Sequence, residues 1–419
     1  IALYSCLTFL FLACKTRANS KHPFVECSEE EICIPNTILN FNNTGLRRIG
    51  DIFVNTSDIK ELYLDDNEIT HISDKAFDLI EGLEILSISG NQLDLNVLSW
   101  LRHHETLRSL LINNNRRSNY DVSIANTFAY LPNLEILSLR GDSISQFDVL
   151  LDKFTPKLRV LDLSENYIQS FHFLDNIPET MEALMLEKNG CPCKIRKLPA
   201  NIRYLFLSGN KITELCGTHC SHSHSLSLKG MEWLNILNVS SNSINSIVYD
   251  AFQDTIHMQT LDLSNNYIGS VPDDGFERLS NLKELHMSHN LLQVVPKISS
   301  LFNIRYLDLS NNYIRETTNL DCLKSIDTLE WLDLSNNRIK ILPMMLISHT
   351  KSIGWNLLLK NNSITNIDDL FTDKCLEVQF ILHLQNNPFS FFKFNALTVH
   401  TGEPQSRCQP TSSYNFYSY

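Results

Sequence analysis

The chain has 419 residues, 43% of them apolar and 20% charged, an ordinary balance that excludes disordered and collagen-like classes. Its formal net charge of −12, with no long Lys/Arg run, argues against a nucleic-acid or anionic-membrane surface. The basic clusters are short ones, Arg116-Arg117 and Lys194 to Lys197.

Ile1 to Cys14 is nearly all apolar and is followed by Lys15 and Arg17. A stretch of about fourteen residues is short for a membrane span and right for a signal-peptide core. Residues 1–18 are therefore expected to be a signal peptide that lacks its first residues; a buried strand or an uncleaved anchor is the alternative. No later segment reaches about eighteen uninterrupted apolar residues. Two of the eleven cysteines lie in this stretch and the others cluster, which fits an oxidising compartment. Sequons at Asn42, Asn55, Asn238 and Asn361 are candidate glycosylation sites. Within residues 19–38, Cys27 and Cys33 bracket an acidic turn just before the first strand at Leu39 and Phe41. A solenoid end exposes apolar edges, so this segment is expected to be a cap tied by Cys27–Cys33, with two free thiols as the alternative.

From there one unit recurs. Leu307-Asp308-Leu309-Ser310-Asn311-Asn312-Tyr313-Ile314 reads L-x-L-x-x-N-x-I, three inward apolar residues and an Asn at a fixed place. A chain turning sharply out of a short strand buries backbone N–H and C=O groups, and a side-chain amide satisfies them. The Asn or its substitute recurs at Thr44, Asn67, Asn91, Asn115, Asp142, Asn166, Asn189, Asn210, Asn242, Asn266, Asn290, Asn312, Asn337, Asn362 and Asn387, mostly 22 to 25 apart. Apolar pairs such as Leu62/Leu64, Leu161/Leu163 and Leu332/Leu334 place a short parallel strand in each repeat. Ten residues after the mark, Phe77, Phe252 and Phe276 are placed to fill the convex side as a spine.

These motifs resemble the extracellular "typical" subclass of leucine-rich-repeat proteins, over residues 27 to about 390. The general look is similar to invertebrate Toll-like receptor ectodomains and secreted leucine-rich immune proteins. The resemblance implies an α/β solenoid, a horseshoe of about 15 repeats with a parallel concave sheet, spanning residues 39–390 as one elongated domain. Residues 391–419 are expected to be a degenerate or incomplete C-terminal segment. Asn387-Pro388-Phe389 resembles the opening of a cysteine cap, but only Cys408 follows.

Register breaks in three places. Asn115 to Asp142 carries a loop of Arg116, Arg117, Asn119 and Tyr120; Cys191 replaces an Ile; and Asn210 to Asn242 contains Cys216, His219, Cys220, His222 and His224. Thiolates and imidazoles in such numbers can hold Zn²⁺, with C-x-C and C-x-x-x-C spacing. An oxidising compartment favours disulfides among Cys191, Cys193, Cys216 and Cys220, and one repeat apart the two pairs lie close enough to bridge. The pairing stays open, and no metal or cofactor is expected.

Asp and Ser recur at Asp162/Ser164, Asp262/Ser264, Asp308/Ser310 and Asp333/Ser335. Recurrence at one place in every repeat points to scaffold or broad surface rather than to an active site, so no enzyme is expected. The side chains between the inward leucines face outward on the concave side. Two surfaces emerge: an exposed apolar patch of Met185, Tyr204 and Phe206, and an acidic strip of Asp262, Asp308 and Asp333 edged by Tyr306 and Trp331. The alternatives are that the Asn210–Asn242 loop folds over the patch, and that Leu-Asp-Leu-Ser is only the usual strand.

The expected function is extracellular recognition in innate immunity, the concave face binding a protein or microbial-surface ligand in a secreted or cell-surface protein. Homo- or hetero-oligomers would form through Cys322, Cys375 or Cys408, and membrane attachment only through a segment not present in this chain. A surface-anchored adhesion or matrix role is the alternative. The step from architecture to role is analogy.

Overall fold

The computed structural model describes residues 37–54, 57–95, 98–102, 104–115, 122–124, 128–192, 194–342, 355–365 and 380–388. The expected signal peptide, the Cys27–Cys33 cap, the Arg116–Tyr120 loop and the C-terminal segment lie outside these residues.

Fifteen strands in sequence order, from Ile38–Asn40 to Phe380–His383, form one parallel sheet. The register never slips: Leu39 pairs Leu62, Leu161 pairs Leu184, Leu205 pairs Leu237 and Leu307 pairs Leu332. Each of these leucines except the first is fully buried. A one-residue slip would turn every such leucine out to solvent, which is what fixes the register.

The Asn marks close the turns. In the reference repeat the Asn312 amide donates to Met287, Leu309 and Ser310 carbonyls at 2.9, 3.1 and 3.1 Å, while its oxygen accepts the Leu292 N–H at 3.1 Å. One side chain thus satisfies four backbone groups, two of them in the preceding repeat. The residue before the mark is left-handed throughout, for instance Asn311 at φ 56° and Asn336 at φ 56°. Asn and Gly tolerate that region, which explains the Asn-Asn and Gly-Asn pairs.

Phe77, Phe252 and Phe276 are buried, but the spine is segmental. Phe252 and Phe276 lie 5.9 Å apart, whereas Phe77 meets Trp100 edge-on at 6.0 Å. Helix is sparse: among the described residues there is one α-helix, Leu151–Phe154, with short 3-10 turns at Ser99–Leu101, His172–Asn176 and Thr318–Ser325. The return segments are too short and too rich in turn-forming Ser, Asn and Asp for more. Where the register stretches, Glu214–Cys216 pairs with Ser225–Ser227 and Ser246–Ile247 in a separate three-stranded sheet.

Candidate functional site

The concave face carries the expected column of outward positions, with Met185 beside Phe206, then Asn238, Asp262, His286, Asp308 and Asp333 on successive strands. Its two halves differ. Met185 and Phe206 are buried, at 1% and 2% exposure, so the expected exposed apolar patch is corrected. They pack with Ile136, Val160, Ala183 and Ile236 as a cluster separate from the main core, with Tyr204 half-buried against it. In-register strands only about 4.8 Å apart bring large side chains on neighbouring strands into contact. From the Asn210–Asn242 interval the cluster takes Ile236, which lies on the concave sheet, while Glu214–Cys216 and Ser225–Ser227 build the separate sheet.

The second half is more accessible. Glu284, His286, Tyr306, Asp308, Trp331 and Asp333 are all half-buried, on three adjacent strands. His286 lies 4.9 Å from the Tyr306 ring, and Tyr306 stacks on Trp331 at 5.8 Å with planes 11° apart. Among the described residues the Trp331 indole N–H has no acceptor. His286 Nε2 stands 3.6 Å from Glu284 Oε2, and this contact holds the Glu284 carboxyl below the usual range. Sequence alternation places His286 in the same outward column without assigning it to the strip, and it passes over Glu284.

The Asp residues have two roles. Asp262, Asp308 and Asp333 each accept the N–H two residues on, at 2.9, 2.9 and 2.8 Å, which closes the strand-end turn. Asp262 also binds the Ser264 hydroxyl at 2.6 Å and is buried, which takes it out of the accessible strip. Asp308 and Asp333 pair in register and keep outward carboxylate surface. Burial pushes the Asp333 carboxyl up, and Asp308 adds to this. Burial and the charges of Asp308, Asp333 and Glu284 push the Tyr306 phenol up to about 12. The site therefore concentrates negative potential beside stacked aromatic faces, a combination suited to a guanidinium or ammonium group.

The cysteines pair locally. Cys216 and Cys220 are joined across five residues, and Cys191 is disulfide-bonded with neither as its partner, so of the pairings left open those that link Cys216 or Cys220 to the neighbouring repeat do not occur. The reason is that Cys216 closes a tight turn at the end of its own strand, 5.3 Å in Cα distance from Cys220. Cys193, Cys27 and Cys33 lie outside the described residues. Among the described residues no three His, Cys, Asp or Glu side chains converge for a metal, and no helix is long and apolar enough to cross a membrane. Cys322 is a half-buried thiol donating to the Asn319 carbonyl at 3.0 Å, and burial pushes its pKa up.

Of the sequons, Asn361 is exposed at a turn, Asn42 is half-buried with its amide on Asp65, and Asn238 stands on the concave face. Asn55 lies outside the described residues.

Family models described as "Leucine rich repeat" match residues 37–93, 59–116 and 256–314, and a related one matches 303–326 and 328–349. The chain carries leucine-rich repeats. This leucine-rich-repeat chain is 27% identical over 213 residues to fibromodulin of Bos taurus, covering 45% of this chain and 55% of that protein. It spans about half, or less, of the length of the curated relatives it matches. In fold it is similar to an internalin of Listeria monocytogenes (TM-score 0.54, 17% identity, 80% of this chain and 84% of that one). It is also similar to Toll of Drosophila in its complex with Spatzle (TM-score 0.59, 18% identity, 78% and 47%). At these identities the likeness gives the fold.

Proposed function

We propose that this leucine-rich-repeat chain is an extracellular recognition module of innate immunity, binding a protein or microbial-surface ligand through the concave strip from Glu284 to Asp333. The observation that carries the reading is the Tyr306–Trp331 stack beside the paired carboxylates of Asp308 and Asp333 on the same two strands. Stacked aromatics supply contact area at low entropic cost, and the carboxylates select a cationic group. Toll, whose complex with Spatzle is described as a hub in development and innate immunity, has the same fold. That likeness supports the role by analogy. A repeated Asp-x-Ser pair whose oxygens close turns serves binding and scaffold, not catalysis.

The experiment is a binding panel with the purified chain: peptidoglycan, β-glucan, lipopolysaccharide, basic protein ligands and matrix collagens. Binding to a microbial or basic protein ligand that Trp331→Ala abolishes supports the reading. Binding to collagen alone would put the adhesive role in its place.

A further inference from the structure

On the convex side, the irregular repeats and the Lys194–Lys197 cluster meet beside the separate three-stranded sheet. The buried Ile195 bridges Leu226: its N–H donates to the Ser225 carbonyl at 2.9 Å and its carbonyl accepts the Ser227 N–H at 2.8 Å. Side chains alternate about such a bridge, so Lys194 and Arg196 on either side of Ile195 face away from the core. They and Lys197 border a pocket of about 470 Å³. The 3-10 turn His172–Asn176 forms one wall, over the buried Phe171 and Leu174. Ser223 and His224 form the other.

This second wall exists only because of the inserted residues, and it is held rigidly. Glu214, buried at 1% exposure, accepts the Ser221 N–H and hydroxyl at 2.8 and 2.6 Å and the His222 N–H at 2.9 Å. The His224 carbonyl accepts the Thr213 N–H at 2.8 Å. Cys216–Cys220 closes the loop at the end of the paired strand.

The pocket lining gathers three cations and one carboxylate. Elsewhere on the solenoid, cations that lie close to one another are interleaved with carboxylates, as in Arg108–Glu135, Arg159–Glu182 and Lys188–Glu165. Among the described residues Lys194, Arg196 and Lys197 are in no ion pair, and the one carboxylate in the pocket lining is Asp175. In a chain of net charge −12 this is a local cationic site with a preformed shape.

We propose that this pocket binds a sulfated polysaccharide, with Lys194, Arg196 and Lys197 on successive sulfate groups. Three separate cations along one extended edge match a ligand whose anionic groups are spaced along a chain. Neutral hydrogen-bonding side chains such as Ser170 and Ser223 match sugar hydroxyls between them. The site lies on the convex side, away from the concave strip, so the two bind independently.

The test titrates the purified, disulfide-intact chain with a fluorescent heparin-derived hexasaccharide at about 0.15 M and about 0.5 M NaCl. The native chain binds at the lower salt, and the triple variant Lys194→Gln, Arg196→Gln, Lys197→Gln weakens binding by about tenfold or more. Ser223→Trp, which fills the pocket and leaves every charge, also abolishes binding. Arg47→Gln with Lys60→Gln, remote cations in ion pairs, leaves it unchanged. Peptide mapping of Cys216–Cys220 confirms that each variant is folded. No hexasaccharide binding by the native chain overturns the proposal, as does full binding by Ser223→Trp, which would mean adsorption to exposed charge. Preference for a phosphoserine peptide over the hexasaccharide would also overturn it. Trp331→Ala leaves this binding intact, so failure here and failure of the concave-face reading are distinguishable.

Discussion

Tyr306 and Trp331 sit opposite each other on adjacent strands with ring centroids 5.8 Å apart and planes 11° apart. Such a pair adds about 1 kcal/mol beyond the apolar area it buries. A double-mutant cycle of Tyr306→Ala and Trp331→Ala, followed by urea unfolding, is expected to show a coupling of about 1 kcal/mol. Strict additivity would mean that the rings are neighbours without being partners.

Asp333 is expected to be retained at a cost in stability. Its folded pKa is raised above the ordinary 3.8 by burial, so the carboxylate is disfavoured by folding. Stability associated with this group is greatest below 3.8 and declines as pH rises through the raised value. Asp333→Asn keeps an acceptor for the Ser335 N–H and removes the charge. Its melting temperature should exceed that of the native chain at pH 7, and the two should converge in acid. A lower melting temperature at pH 7 would show that the charge is structurally useful.

Asp250 behaves in the opposite sense. Burial opposes its ionisation, but the Thr218 N–H, the His219 ring and the Gly217 N–H outweigh this and hold it below 3.8. Its contribution is therefore complete above 3.8 and is lost as pH falls through the lower, folded value. Calorimetry of native and Asp250→Asn chains should show a native advantage of about 2 kcal/mol at pH 6, from hydrogen bonds to a charged group. That advantage should vanish in strong acid; a gap that persists there would place it elsewhere.

Asn312→Ala removes an amide serving four backbone groups at once. Each buried polar group left unmatched costs about 1–3 kcal/mol, and turn adjustment recovers part of the sum. A loss of at least about 3 kcal/mol in denaturant unfolding is expected. A loss below about 1 kcal/mol would mean that water replaces the side chain.

The scaffold was legible because each backbone demand selects one residue type. Leu307 and Asn312 recur wherever a strand packs and a turn closes. The outward column was legible too, since alternation assigns Asp308 and Asp333 to one face. Accessibility was not: nothing in alternation shows how closely Met185 and Phe206 crowd their neighbours. Nor does it show that Asp262 turns its carboxylate onto Ser264. Lys194 to Lys197 could be seen as a cluster, but their pocket could not. Its walls come from His172 and His224, far apart in sequence, and the second is set in place by the inserted sheet.

The concave-strip reading meets its most direct test in one measurement: the affinity of native and Trp331→Ala chains for the bound ligand found in the panel, by surface plasmon resonance, with secretion yield as the folding control. A central aromatic anchor predicts a loss of about 2 kcal/mol, near thirtyfold in Kd, at unchanged yield. Equal affinity of the two chains would contradict the assignment of the recognition surface to Tyr306, Trp331 and their flanking carboxylates.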